Sequence, residues 1–245
     1  MAATIRIGTS GWEYEHWRGG FYPRELSRDR WLEYYAERYD TVELNASFYR
    51  LPLRATFERW ASRVPGGFIF AVKASRYLTH VKRLKEPIEP LARLWARAEG
   101  LGAHLGPVLY QLPPRWKPNA DRLSAFLAAI PSDRPQVIEI RDARWYREDL
   151  VESIAAAGVG LCLHDMPGVE RAGPPTGPLV YVRFHGAAGE RYGGRYPTGV
   201  LERWASRMLD WAADGRPVWA YFNNDIGGHA VVDAARLRDE VARRS

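Results

Sequence analysis

TVELNASFYRLP, residues 41–52, reads as a strand running into a loop. Side chains alternate along a strand, so Val42 and Leu44 take one face of 41–45 while Glu43 and Asn45 take the other. A carboxylate on a buried strand costs several kcal/mol unless it is paired or hydrogen-bonded. Glu43 therefore demands partners, and other segments of the chain have the same alternation.

Strand-like runs fall at 5–9, 41–45, 68–73, 108–112, 136–141, 160–164, 179–185 and 218–223, with helix-like segments between them. Apolar stripes at helical spacing include Phe57, Trp60, Ala61 and Val64, and later Leu201, Trp204, Met208 and Trp211. Asn119 stands as a cap before a helix that buries Leu123, Phe126 and Ile130. Eight β/α units in 245 residues predict an α/β fold, a single TIM-like (β/α)8 barrel spanning 1–245 as one domain. One unit is degenerate. The segment between His164 and Leu179 is too rich in proline and glycine for a full sixth helix.

Composition narrows the function classes. No apolar run reaches membrane-spanning length and the first residues carry no signal-peptide pattern, which predicts a cytoplasmic protein without a membrane partner. The single cysteine, Cys162, excludes an internal disulfide framework and a CxxC zinc site, and it reads as a core thiol. The net charge of +6 permits an anionic partner. Only four of the 35 basic residues are lysine, a skew that weakens basicity as a sign of nucleic-acid binding.

In an α/β barrel the outward face of each strand meets the helices, and the inward face carries chemistry near the C-terminal end. The inward row holds Glu43, Lys73, Gln111, Glu139, Arg141, His164, Arg183 and His185, with Asp165 just beyond. This convergence predicts a polar ligand site. The competing reading is a structural salt network, Glu43 with Lys73 and Glu139 with Arg141 or Arg183.

Several motifs carry a resemblance. GTSGW (8–12), FYP (21–23), VELNASFYRLP (42–52), FAVKAS (70–75), TH (79–80), QLPP (111–114), EIR (139–141), VRFHG (182–186) and YFNN (221–224) occur in order over nearly the whole chain. Together they resemble the domain of unknown function 72 family, also called YecE-like. The resemblance implies a TIM-like barrel and no settled activity. It implies that the motif positions form the pocket, without assigning roles.

Three chemistries compete. The first is an enzyme acting on a small sugar-like or phosphorylated substrate. Glu43, Lys73, Glu139, His164 and His185 are its candidate acid, base and proton-shuttle groups. Trp12, Asn45, Tyr49, His80, Gln111, Arg141, Asp165, Arg183, Asn223 and Asn224 are candidate substrate contacts. Anion binding is expected from Arg191 and Arg195 in a glycine-rich loop and from Gly227 and Gly228 before the last helix. The second is metal-dependent phosphodiester hydrolysis. A divalent metal is compatible with the His and carboxylate set, but the arginines and Lys73 disfavour it, and no cofactor motif is present. The third is nucleic-acid or nucleotide binding by Lys73, Arg76, Lys82, Arg83 and Lys85, interleaved with Tyr77 and His80.

Overall fold

The computed structural model describes residues 2–169, 171, 173–186 and 192–245. Its strands are β1 (Ile5–Thr9), β2 (Thr41–Leu44), β3 (Ile69–Lys73), β4 (Leu105–Gln111) and β5 (Gln136–Glu139), followed by β6 (Gly160–Leu161), β7 (Leu163–His164), β8 (Val180–Phe184) and β9 (Val218–Phe222). Every pairing between these strands is parallel. The order is β2-β3-β4-β5-β6 in one sheet and β1-β9-β8-β7 in the other.

This pairing differs from the continuous eight-stranded ring expected from the sequence. The expected sixth strand is split at Cys162 into β6, which pairs with β5, and β7, which pairs with β8. A single parallel bridge, Ser10 to Glu43, links the ends of β1 and β2.

The helices are α1 (Trp31–Ala36), α2 (Ala46–Tyr49), α3 (Arg54–Ala61), α4 (Ile88–Ala98), α5 (Ala120–Ala129), α6 (Glu148–Ala156), α7 (Thr198–Ala213) and α8 (His229–Arg244). Asn119 caps α5 by accepting a hydrogen bond from the Arg122 backbone N–H at 2.9 Å. The described residues of 165–179 contain no helix. The short α2 replaces part of the loop expected after β2. Ser47 Oγ lies 2.8 Å from Leu44 O and 2.7 Å from Lys73 O, pinning this turn to the ends of β2 and β3.

Two apolar clusters fill the interior. Phe70, Val72, Ile138, Ile140, Val182, Phe184, Ala220 and Phe222 belong to the large cluster shared with the helices. The alternate residues Ala71, Leu109, Val137, Cys162, Tyr181 and Tyr221, with Leu179, form a second, smaller cluster. Burial of the first row against helices is the main stabilising contribution, at about 25 cal/mol per Å² of apolar area. Trp12 joins this core rather than the polar interior. Its ring packs edge-on against Trp60 at 5.4 Å and Phe70 at 6.4 Å, so it forms no aromatic wall for a ligand.

Candidate active site

The site is built by a rule of two. One step of the pleat beyond the small apolar cluster, the same strand faces carry Lys73 on β3, Gln111 on β4, Glu139 on β5, His164 on β7, Arg183 on β8 and Asn223 just past β9. Glu43 joins them from β2, and Arg141 and His185 stand two residues after Glu139 and Arg183, just past the ends of β5 and β8. All are at the C-terminal ends of parallel strands.

Arg183 is the centre. Its Nη2 donates to Glu43 Oε1 at 2.8 Å and its Nη1 to Glu139 Oε2 at 2.7 Å. Ser10 Oγ donates to Glu43 Oε1, and Tyr181 OH donates to Oε2 at 2.7 Å. Gln111 Nε2 donates to Glu139 Oε2 at 2.9 Å, and Arg141 Nε lies 2.5 Å from Oε1. Glu43, Glu139 and Arg183 are fully buried. Burial opposes charge on Glu139, but Arg141 and Arg183 together hold its carboxyl well below the usual range. The carboxylate is thus fixed as an ionised acceptor and is a poor proton donor near neutrality.

The tie expected between Glu43 and Lys73 is not made. β2 and β3 are paired neighbours, yet Glu43 is held by Ser10, Tyr181 and Arg183. Lys73 instead places Nζ 4.2 Å from the centre of the Phe48 ring. It is 8% exposed and, among the described residues, has no carboxylate at ion-pairing distance. Burial, then Arg183, pushes its ammonium down to about 7, against the opposing pull of Glu43 and Glu139. His80 lies beside it on a one-turn π-helix, Tyr77–Val81, with its ring 5.0 Å from Phe48. Burial, then Lys73 and Arg76, pushes that imidazole down to about 4.

His185 faces the network from just past the end of β8. Its Nε2 lies 3.1 Å from Glu139 Oε1 and 3.0 Å from Arg141 Nη2, while Nδ1 lies 3.2 Å from Asn223 Nδ2. Burial, then Arg183, holds the ring well below its usual range, so it is neutral. Nε2 therefore meets an obligate acceptor and an obligate donor at once, and its tautomer selects between them.

Other candidates occupy different places. His164 is locked by backbone, with Nε2 2.9 Å from Ile140 O and Nδ1 accepting from Met166 N at 3.3 Å. Burial lowers its pKa, and neither ring nitrogen is left for chemistry. Asn45 Nδ2 donates to Ser10 Oγ at 2.6 Å, while its buried Oδ1 has no hydrogen-bond partner. Asp165 accepts from the His185 backbone N–H at 2.7 Å and from Tyr196 OH, and burial raises its pKa. Asn224 belongs to a clamp: its Nδ2 donates to Asp233 Oδ2 and Gly194 O, both at 2.9 Å. Tyr49 is 75% exposed, on the surface rather than in the buried cluster. Gly227 and Gly228 border a separate cavity of about 600 Å³ with His16, Trp17 and Arg238, so they do not join the interior charges. Arg195 is exposed, and Arg191 lies outside the described residues.

Ser10 and Phe48 matter more than their positions announce. Both lie inside the GTSGW and VELNASFYRLP motifs, but only the fold shows that Ser10 reaches Glu43 and that Phe48 covers Lys73. Strain also gathers nearby. The non-glycine residues with positive φ among those described are Arg83, Leu84, Glu86, Arg115 and Tyr192, each in a loop after a C-terminal strand end. Such conformations concentrate at functional sites. No group of three His, Cys, Asp or Glu side chains among the described residues is arranged to hold a metal ion, and no helix among them is long and apolar enough to cross a membrane.

Parallel sheets with a charged cluster at their C-terminal strand ends define the class: an α/β protein whose buried charges gather at the strand ends where such folds carry chemistry. The family model described as "Protein of unknown function DUF72" matches residues 6–245, and the chain belongs to that family. It is 27% identical to the UPF0759 protein YunF of Bacillus subtilis (strain 168) over 266 aligned residues, 95% of this chain and 93% of that one. It is 26% identical to the UPF0759 protein YecE of Escherichia coli (strain K12) over 186 residues, covering 75% of this chain and 64% of that protein. The crystal structure of a DUF72 family protein from Thermotoga maritima superposes with a TM-score of 0.88 at 26% identity, covering 98% of this chain and 99% of that one. A DUF72 family protein from Enterococcus faecalis V583, at 19% identity, shares the fold with a TM-score of 0.83, covering 98% of this chain and 96% of that one.

Proposed function

We propose that the two sheets act as one closed barrel and one domain, and that its C-terminal mouth is an active site for a small, polar, anionic substrate handled by proton transfer. Lys73 carries this reading. The other interior charges are committed to hydrogen bonds or ion pairs, whereas Lys73 is buried at a strand end without a carboxylate partner. A lysine so placed can exchange a proton near neutral pH, as a general base or acid must.

Glu43, Arg183 and Glu139 form the fixed floor, because every oxygen of the two carboxylates is already engaged by Ser10, Tyr181, Gln111, Arg141 or Arg183. His185 is a neutral ring set between Glu139 and Arg141 at the edge of that floor. An anionic substrate is favoured because Arg141 and Arg183 already take both oxygens of Glu139, which leaves protonated Lys73 without a carboxylate to neutralise it. The same saturation argues against a metal held by Glu43 and Glu139. The nucleic-acid reading also weakens, since Lys82 and Lys85 both face Glu86, at 2.7 and 3.7 Å.

A thermal-shift screen of small carboxylates and phosphate esters tests the proposal. At least one should stabilise the protein saturably, and Lys73→Met and Arg141→Gln should each abolish the shift. Stabilisation by oligonucleotides alone, or shifts retained in both variants, would count against it.

A further inference from the structure

Four lysines occur in the chain, and Lys73 differs in kind from Lys82, Lys85 and Lys117. Its side chain is buried, its Nζ lies over the Phe48 ring, and among the described residues no carboxylate is at ion-pairing distance. The loop that follows β3 is unusual too. It begins with the π-helical turn Tyr77–Val81, which sets His80 against Phe48, and continues through Arg83, Leu84 and Glu86 at φ 49°, 60° and 46°. Single π turns and left-handed non-glycine residues are costly and recur at functional sites. Leu84 is fully buried, so this strained backbone is anchored rather than loose. The fold bears this strain in the segment whose His80 packs on Phe48, the ring over Lys73.

A lysine desolvated in an apolar pocket and flanked by other cations is the usual form of an amine nucleophile toward carbonyl groups. The apolar wall here is Phe48. The cations acting on Lys73 are Arg183 from β8 and Arg141 beyond β5, opposed by Glu43 from β2 and Glu139 from β5. His80 faces it from the π turn, with its neutral form favoured by burial.

We propose that Lys73 is an imine-forming residue, and that its ligands are small aldehydes or ketones carrying a carboxylate or phosphate. This deepens the active-site reading above and rests on it. The Nζ lone pair adds to the carbonyl carbon and the carbonyl oxygen takes a proton, giving a carbinolamine. Loss of that oxygen as water, with one further proton taken up from solvent, leaves the protonated imine. No oxidant or reductant is consumed. Glu43 and Glu139 favour the new positive charge through space, and Arg141 is placed to receive the ligand's anionic group. Small size follows from the 8% exposure of Lys73.

The test is reductive trapping of the full-length protein at pH 7 with cyanoborohydride and, separately, glyoxylate, pyruvate, glycolaldehyde phosphate or uncharged glycolaldehyde. Adducts are assigned by peptide mass mapping, with the three other lysines as internal controls. Lys73 should be labelled about a hundredfold faster than those three, because far more of it is neutral at that pH. At least one anionic carbonyl should exceed glycolaldehyde at Lys73. A preference for glyoxylate and pyruvate would assign a carboxylate ligand, and a preference for glycolaldehyde phosphate a phosphate ligand. Labelling of Lys73 no faster than the other lysines by all three anionic carbonyls would overturn the imine. Equal labelling by glycolaldehyde would overturn the anionic class. If trapping fails while small anions still stabilise the wild type but not Lys73→Met, the imine falls and the anion site stands. If both fail, both fall. The mapping is done on wild-type protein, so it does not depend on a variant folding.

Discussion

Lys73 and Glu43 sit on paired strands with opposite formal charges, yet they are not each other's partner. Alternation along β2 and β3 is enough to put both on one face, and that much is legible in the residues themselves. Which cation captures Glu43 is not, because reach decides it. The forked guanidinium of Arg183 spans two carboxylates at once, while an ammonium makes a single point contact. The consequence for Lys73 is a pH dependence of known sign. Its folded pKa of about 7 lies below the 10.5 of an unperturbed lysine. Between those values the unfolded chain binds more protons, so this residue makes stability rise with pH. Below the folded value it is charged in both states, and its destabilising effect is largest. Lys73→Met, which keeps length and removes the charge, should therefore raise the melting temperature most at pH 6. The gain, on the order of a few kcal/mol at that pH, should shrink toward pH 10. Melts across that range check it. A gain that grows with pH would reverse the argument.

Among the elements, those set by strong local chemistry were readable. The stripe after Asn119 and the carboxamide cap itself predict α5, and the cap is made. The proline-rich stretch after His164 predicts the missing helix, and the described residues there contain none. Elements set by distant contacts were not readable. The α2 turn depends on Ser47 reaching the ends of two strands, and the break at Cys162 depends on which neighbours β6 and β7 find. Arg183 shows how far such contacts extend, because from β8 it reaches Glu43 on β2 and Glu139 on β5. Arg183→Met should cost about 3–5 kcal/mol, since it leaves two buried carboxylates without their shared cation. Urea denaturation measures this. A loss below 1 kcal/mol would show that those carboxylates readily acquire protons or water instead.

At the scale of the whole molecule, the family motifs mark the strand ends where the charges gather. GTSGW supplies Ser10, VELNASFYRLP supplies Glu43, Asn45 and Phe48, and EIR supplies Glu139 and Arg141. The ties of Arg183 cross between the two sheets, so fold stability and site geometry depend on the same side chains. Beside this fixed floor, Lys73 is placed to change its protonation near neutral pH. The most direct measurement is an NMR titration of Lys73 in protein carrying isotope-labelled lysine, with Lys73→Arg used to assign the signal. The expected result is a midpoint near 7, well apart from the three other lysines. A Lys73 midpoint at the unperturbed value of about 10.4 would contradict the account.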